Sequence, residues 1–209
     1  RIENFLEKKF FENLANAFPD IKDFEGSKRS LSRMDYDITF GDNLYKKLLS
    51  ENSEYKKFHD YVYSPEFIKH FVNLFKDSIK HEFDKNFLID NILDYQIVSK
   101  PFETGRVIGK KEFKKSNEKF LYPRLDLGVG IEGYGKNNGG GGIHIDNPQR
   151  LISILFYLGG YKKIVGGEHR IWKKLDKDKS LMIFEEIKPE KNCLVASLQN
   201  NLAFHDVNP

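Results

Sequence analysis

Apolar residues in the first part of the chain recur at helical spacing. Ile2, Phe5, Leu6, Phe10, Phe11 and Leu14 follow at steps of one, three and four, and Pro19-Asp20 ends the run, which predicts a helix over residues 2–18. A second helical region is expected over roughly 43–62. The third is the best marked, with Ser64 as N-cap, Pro65 at the first helical position, then Phe67, Phe71, Leu74, Phe75, Ile79 and Phe83. These aromatic stripes read as core faces. His59, His70 and His81 lie in the same helices among Lys and Asp and read as surface or boundary residues.

From about residue 87 the period shortens towards two. Strands are expected over 87–98, 122–131, 143–146, 151–158, 168–173, 181–187, 193–197 and 202–207, with turn signals at Gly159-Gly160, Gly166-Gly167, 176–180 and 189–192. Short strands at even spacing with few helices predict a jelly roll or barrel. The fold class is therefore mainly β with an α-helical N-terminal annex. Residues 1–86 form the helical region, packed on a β core over 87–209 as one structural unit, and 209 residues suit that size. Two segments stand apart. The Lys-rich stretch 105–119 reads as a solvated loop or a substrate lid. Asn137-Asn138 and the glycines at 139–142 read as a flexible hairpin, because no Lys-Ser/Thr follows as a phosphate loop requires.

Composition narrows the function class. With 34 basic and 31 acidic groups the net charge is +3, too balanced for an obligate nucleic-acid binder. The longest apolar run, 151–158, is too short to span a membrane. The one cysteine, Cys193, rules out an internal disulfide, reads as a core thiol and fits a reducing, cytoplasmic compartment. The sequence begins at Arg1 rather than Met, which leaves an upstream targeting segment open.

Chemistry concentrates in Ile143-His144-Ile145-Asp146. Alternation with apolar residues puts His144 and Asp146 on one strand face, about 7 Å apart along the backbone. Two ligands do not make a metal site, and a third is expected from a neighbouring strand. His205, in Phe204-His205-Asp206-Val207, is the candidate. Two His and one carboxylate on one side of an ion, with the other side open, is the ligand set of non-heme Fe(II) oxygenases.

The text around these residues is also informative. His144-Ile-Asp146-Asn147-Pro148, the run from Arg150 to Leu158, Gly166-Gly167-Glu168, the turn at 187–192, Leu194-Val195-Ala196-Ser197 and His205-Asp206-Val207 follow one another in an order that resembles the catalytic core of the Fe(II)/2-oxoglutarate-dependent dioxygenases, in their prolyl-hydroxylase-like branch. The detailed likeness covers residues 122–209, and 11–21 and 64–75 are loosely similar to that family's N-terminal half. The resemblance implies a double-stranded β-helix (a cupin-like jelly roll) and an iron held by His144, Asp146 and His205. It further implies 2-oxoglutarate and O2 as cosubstrates, with oxidative decarboxylation to succinate and CO2 coupled to hydroxylation of a small molecule or a protein side chain. Halogenases of this kind lack the carboxylate, so Asp146 points to hydroxylation.

For the cosubstrate, the resemblance assigns Tyr134, ten residues before His144, to a 2-oxoglutarate carboxylate, with a rim tyrosine as the alternative. The family's Arg or Lys about ten residues after the distal His would fall beyond Pro209. Either the sequence stops short of that residue, or Arg124, Arg150 or Arg170 takes its role. His169 stands where the family more often has Leu and reads as a strand residue or a substrate contact. Trp172 reads as core. Two other classes stay open: a jelly-roll binding module that has lost cosubstrate turnover, and a hydrolytic or isomerising cupin enzyme using the same triad.

Overall fold

The structure, a computed structural model, describes residues 1–24, 35–82, 92–99, 119–130, 142–146, 150–159, 166–175 and 180–207. Among the described residues, five α-helices lie in the N-terminal part: α1 (Lys8–Asn16), α2 (Asn43–Glu51), α3 (Ser53–Val62), α4 (Pro65–Leu74) and α5 (Lys76–Glu82). Nine strands are described: β1 (Asp35–Thr39), β2 (Gln96–Ile97), β3 (Phe120–Leu121), β4 (Asp126–Gly130), β5 (Ile152–Tyr157), β6 (His169–Lys174), β7 (Leu181–Ile187), β8 (Cys193–Leu198) and β9 (Phe204–Val207). Helix and strand take similar shares, so "mainly β" becomes a mixed fold of helices and several small sheets, with no closed barrel among the described residues.

Local chemistry explains where the helices depart from the expected spans. Residues 2–6 are not helical, because Ile2 forms a β-bridge with Leu194 and Phe5 N–H donates to Asn192 at 3.0 Å. The helix starts instead at Glu7, whose carboxylate accepts from the N–H groups of Lys9 and Phe10. The region 43–62 is two helices, since Asn52 leaves helical geometry and its side chain caps α3 through Glu54 and Tyr55. Ser64 caps α4 as expected, with Pro65 in its first turn.

His59 is a correction. It is buried, shares a 2.9 Å hydrogen bond with the Tyr45 hydroxyl, and lies against Phe40 and Tyr63. It belongs to the inward face made by Tyr55, Phe58 and Val62, so a polar residue type hid a core position. His70 is exposed, as expected.

The strands pair in a nested order. His144 bridges His205, β5 pairs with β8, and β6 pairs with β7, all antiparallel. First meets last, second meets last but one, and third meets next, as in one long hairpin rolled over. A further pairing, β6 with β9, sets His169 opposite Val207 and Ile171 opposite His205. Two sheets result: β5–β8, extended by the Ile2 bridge, and β7–β6–β9, extended by His144.

Alternation along β5 separates two environments. Ile152, Ile154 and Phe156 pack with the helices in the larger core, and Phe5, Phe11 and Phe58 place their rings 5.6, 6.3 and 5.6 Å from that of Phe156. The other face carries Ser153 and Tyr157. Tyr157, Cys193 and Val195 meet Ile171 and Ile187 of the second sheet in a smaller core between the sheets. That interlayer is where the candidate chemistry lies. Away from it, β1 pairs with β4, and β2 with β3 in parallel. The strand expected over 87–98 shrinks to β2 after a 3-10 turn at Ile92–Asp94, with 83–91 outside the described residues. That over 143–146 is reduced to the His144 bridge.

Candidate metal centre

His144 and His205 are locked together by the backbone. Each donates its N–H to the other's carbonyl, at 3.0 and 2.9 Å, so both side chains leave the pair on the same side and their rings lie 4.6 Å apart. Both rings are then oriented in the same way. His144 Nδ1 donates to the Gly142 carbonyl at 2.7 Å and His205 Nδ1 to the Ala203 carbonyl at 2.9 Å. A carbonyl can only accept, so Nδ1 carries the proton in each ring and the Nε2 lone pair remains for a ligand.

Asp146 completes the set. One donor atom from each of His144, Asp146 and His205 lies within 4.8 Å of the others, and His205 Nε2 stands 3.9 Å from Asp146 Oδ2. Three ligands at right angles around a first-row ion would be about 3 Å apart, so a modest side-chain contraction closes the site. The donor chemistry fits a divalent metal with an open side. The triad read from the sequence is brought together.

The carboxylate is held by two side chains that precede or open β5. Ser153 Oγ donates to Oδ2 at 2.7 Å and Arg150 Nη1 to Oδ1 at 2.8 Å. Burial alone would raise the Asp146 pKa. The Ser153 hydrogen bond and the charges of Arg150 and His205 outweigh it, and the net shift is downward. Asp146 is thus kept ionised, the form that binds metal. Ser153, the one small polar residue in the run 151–158, was not singled out by sequence reasoning; that position was its only signal.

On the opposite face of β9, Asp206 is buried and accepts from Arg170 Nε at 2.8 Å, from Arg170 Nη2 and from Trp172 Nε1 at 2.9 Å. Burial raises its pKa, but these partners carry it below the ordinary range. The network pins β9 to β6 one residue from His205. Trp172, half-buried, is therefore a hydrogen-bonding brace, where a plain core residue was expected.

The cosubstrate assignments fare differently. Arg150 reaches the triad, but its contact there is Asp146 itself. Arg124 pairs with Asp126 at 2.9 Å, and among the described residues no contact joins it to the triad. Tyr134, Asn147-Pro148 and all but Lys119 of the Lys-rich stretch lie outside the described residues. Gly166 and Gly167 have φ of 78 and 80°, a left-handed conformation that favours glycine, and they turn the chain directly into β6.

That turn delivers His169 into the interlayer. Its ring centroid is 5.4 Å from that of His205, it is buried, and its Nδ1 has no hydrogen-bond partner. Burial first, then the His205 ring, lowers its pKa and keeps it neutral. The comparisons with known proteins add no relative: no family model matches the chain, and no curated protein or solved structure matches it.

Proposed function

We propose that this chain is an Fe(II)- and 2-oxoglutarate-dependent dioxygenase, a cytoplasmic hydroxylase built on a double-stranded β-helix. The observation that carries the reading is the convergence of His144, Asp146 and His205 with both imidazoles fixed by carbonyl bonds so that Nε2 is free. The nested strand pairing supports the jelly roll, because rolling a long hairpin over produces that architecture. Bound iron would supply oxygen activation coupled to decarboxylation of the 2-oxo acid. The chain's own contributions are separate. His144 and His205 present Nε2, Ser153 and Arg150 hold the carboxylate ionised, and the Asp206 network fixes the strand that carries His205.

A second reading has one observation in its favour. Arg150, Arg124 and Arg170, the cations considered for the cosubstrate, are engaged by Asp146, Asp126 and Asp206. A metal-binding module without cosubstrate turnover would look the same. Incubating aerobic, iron-loaded protein with 2-oxoglutarate and following succinate by NMR separates the two. Slow succinate formation that stops in His144→Ala supports the dioxygenase. Full iron occupancy with no succinate favours the binding module.

A further inference from the structure

Among the described residues, two buried side chains each have a polar atom with no hydrogen-bond partner: His169 at Nδ1 and Gln199 at Oε1. Both fall on the interlayer side. His169 shares its face of β6 with Ile171, which packs between the sheets, and lies opposite Val207 in the register that sets Ile171 opposite His205. Gln199 donates to Ser197 Oγ; Ser197 stands across from Ser153, which holds Asp146. The unmet bonding therefore gathers beside the triad.

His169 is 5% exposed, and its ring centroid lies 5.4 Å from that of His205. It is not one of the converging ligands. A buried polar atom without a partner destabilises a fold, and an apolar side chain of similar size would fill the same space without that penalty. Such an atom next to a reactive centre is explained by a partner that arrives with the ligand. The charge of the site says which kind. An imidazole that binds a metal does so through a lone pair and adds no charge, and Arg150 offsets Asp146, so a divalent ion would leave the compartment positive and favour an anionic chelator.

We propose that His169 is a ligand-contacting residue of this centre, hydrogen-bonding through Nδ1 to a carboxylate ligand of the 2-oxo acid class seated between the sheets on the open side of the metal. The inference rests on the dioxygenase reading and adds to it a binding group that is neither a metal ligand nor an arginine.

The test is calorimetric titration of 2-oxoglutarate into anaerobic Fe(II)-loaded protein, with Fe(II) affinity and Tm measured separately. His169→Leu is expected to weaken 2-oxoglutarate binding about ten- to a hundredfold, the effect of losing one hydrogen bond to a charged group. Its Fe(II) affinity should match wild type and its Tm should be equal or higher. His169→Asn, which places an amide atom near the position of Nδ1, should recover much of the affinity. Unchanged 2-oxoglutarate affinity in His169→Leu overturns the role of His169 and leaves the dioxygenase reading standing. Lost Fe(II) affinity overturns it too, by making His169 a metal ligand. Iron-loaded wild type that binds no 2-oxoglutarate refutes the dioxygenase reading itself. If His169→Leu does not fold, His169→Phe, which keeps a ring and removes both nitrogens, gives the same comparison.

Discussion

Replacing Asp206 with Ala tests whether the network on the outer face of β9 holds the site together. The carboxylate accepts from two nitrogens of Arg170 and from Trp172 Nε1 in a buried setting. Removing it leaves a guanidinium and an indole N–H facing the space it filled. Breaking a buried ion pair from one side costs about 3–5 kcal/mol. The lower end applies here, about 3 kcal/mol, because Glu186 and Glu168 also draw on Arg170 and soften the loss. Asp206→Asn keeps an acceptor for one donor and should lose about half as much. Urea unfolding of both variants and of Arg170→Met, combined as a double-mutant cycle, isolates the pair. The sign with pH is fixed by the lowered Asp206 pKa. Its contribution is present above the ordinary carboxylate value and disappears only as pH falls through the lower, folded-state value. A loss below 1 kcal/mol for Asp206→Ala, or a coupling near zero, would refute the reasoning.

Two other contacts give further expected outcomes. Ser153→Ala removes the 2.7 Å bond to Asp146 Oδ2 and should weaken Fe(II) binding about tenfold with Tm nearly unchanged, measured by chelator competition; equal affinity would separate Ser153 from the site. His59 is buried neutral, so its folded-state pKa lies below the unfolded value. Its contribution is complete above about pH 6.5 and declines as pH falls through the window down to the folded-state pKa. His59→Phe should flatten the stability profile in that window, and an unaltered slope would assign it to other groups.

Much of this site could be read from the chain because its parts are local. His144 and Asp146 declare themselves two residues apart, Ser64-Pro65 announces a helix start, and a double glycine before residue 168 announces a turn. The remainder depends on register between distant segments. Nothing near Asn192 reveals that its side chain grips the backbone of Leu6 from both sides, at 2.9 and 2.8 Å. The strand β1, Asp-Tyr-Asp-Ile-Thr, is short and charged, and it becomes a strand because β4 lies alongside. His169 read as a strand residue or a substrate contact, and the β6–β9 pairing is what puts it on the face of His205. His59 was misplaced for a different reason. Its spacing from Tyr55, Phe58 and Val62 marked an inward position, and the residue type outweighed the spacing.

The most direct test of the central claim is anaerobic titration of 2-oxoglutarate into Fe(II)-loaded protein, followed by visible absorption. Chelation of a 2-oxo acid to iron held by His144, Asp146 and His205 predicts a weak charge-transfer band that saturates at one equivalent per chain and is absent in Asp146→Ala. Full iron occupancy in the wild type with no band at any 2-oxoglutarate concentration, or an equal band in Asp146→Ala, would contradict the account.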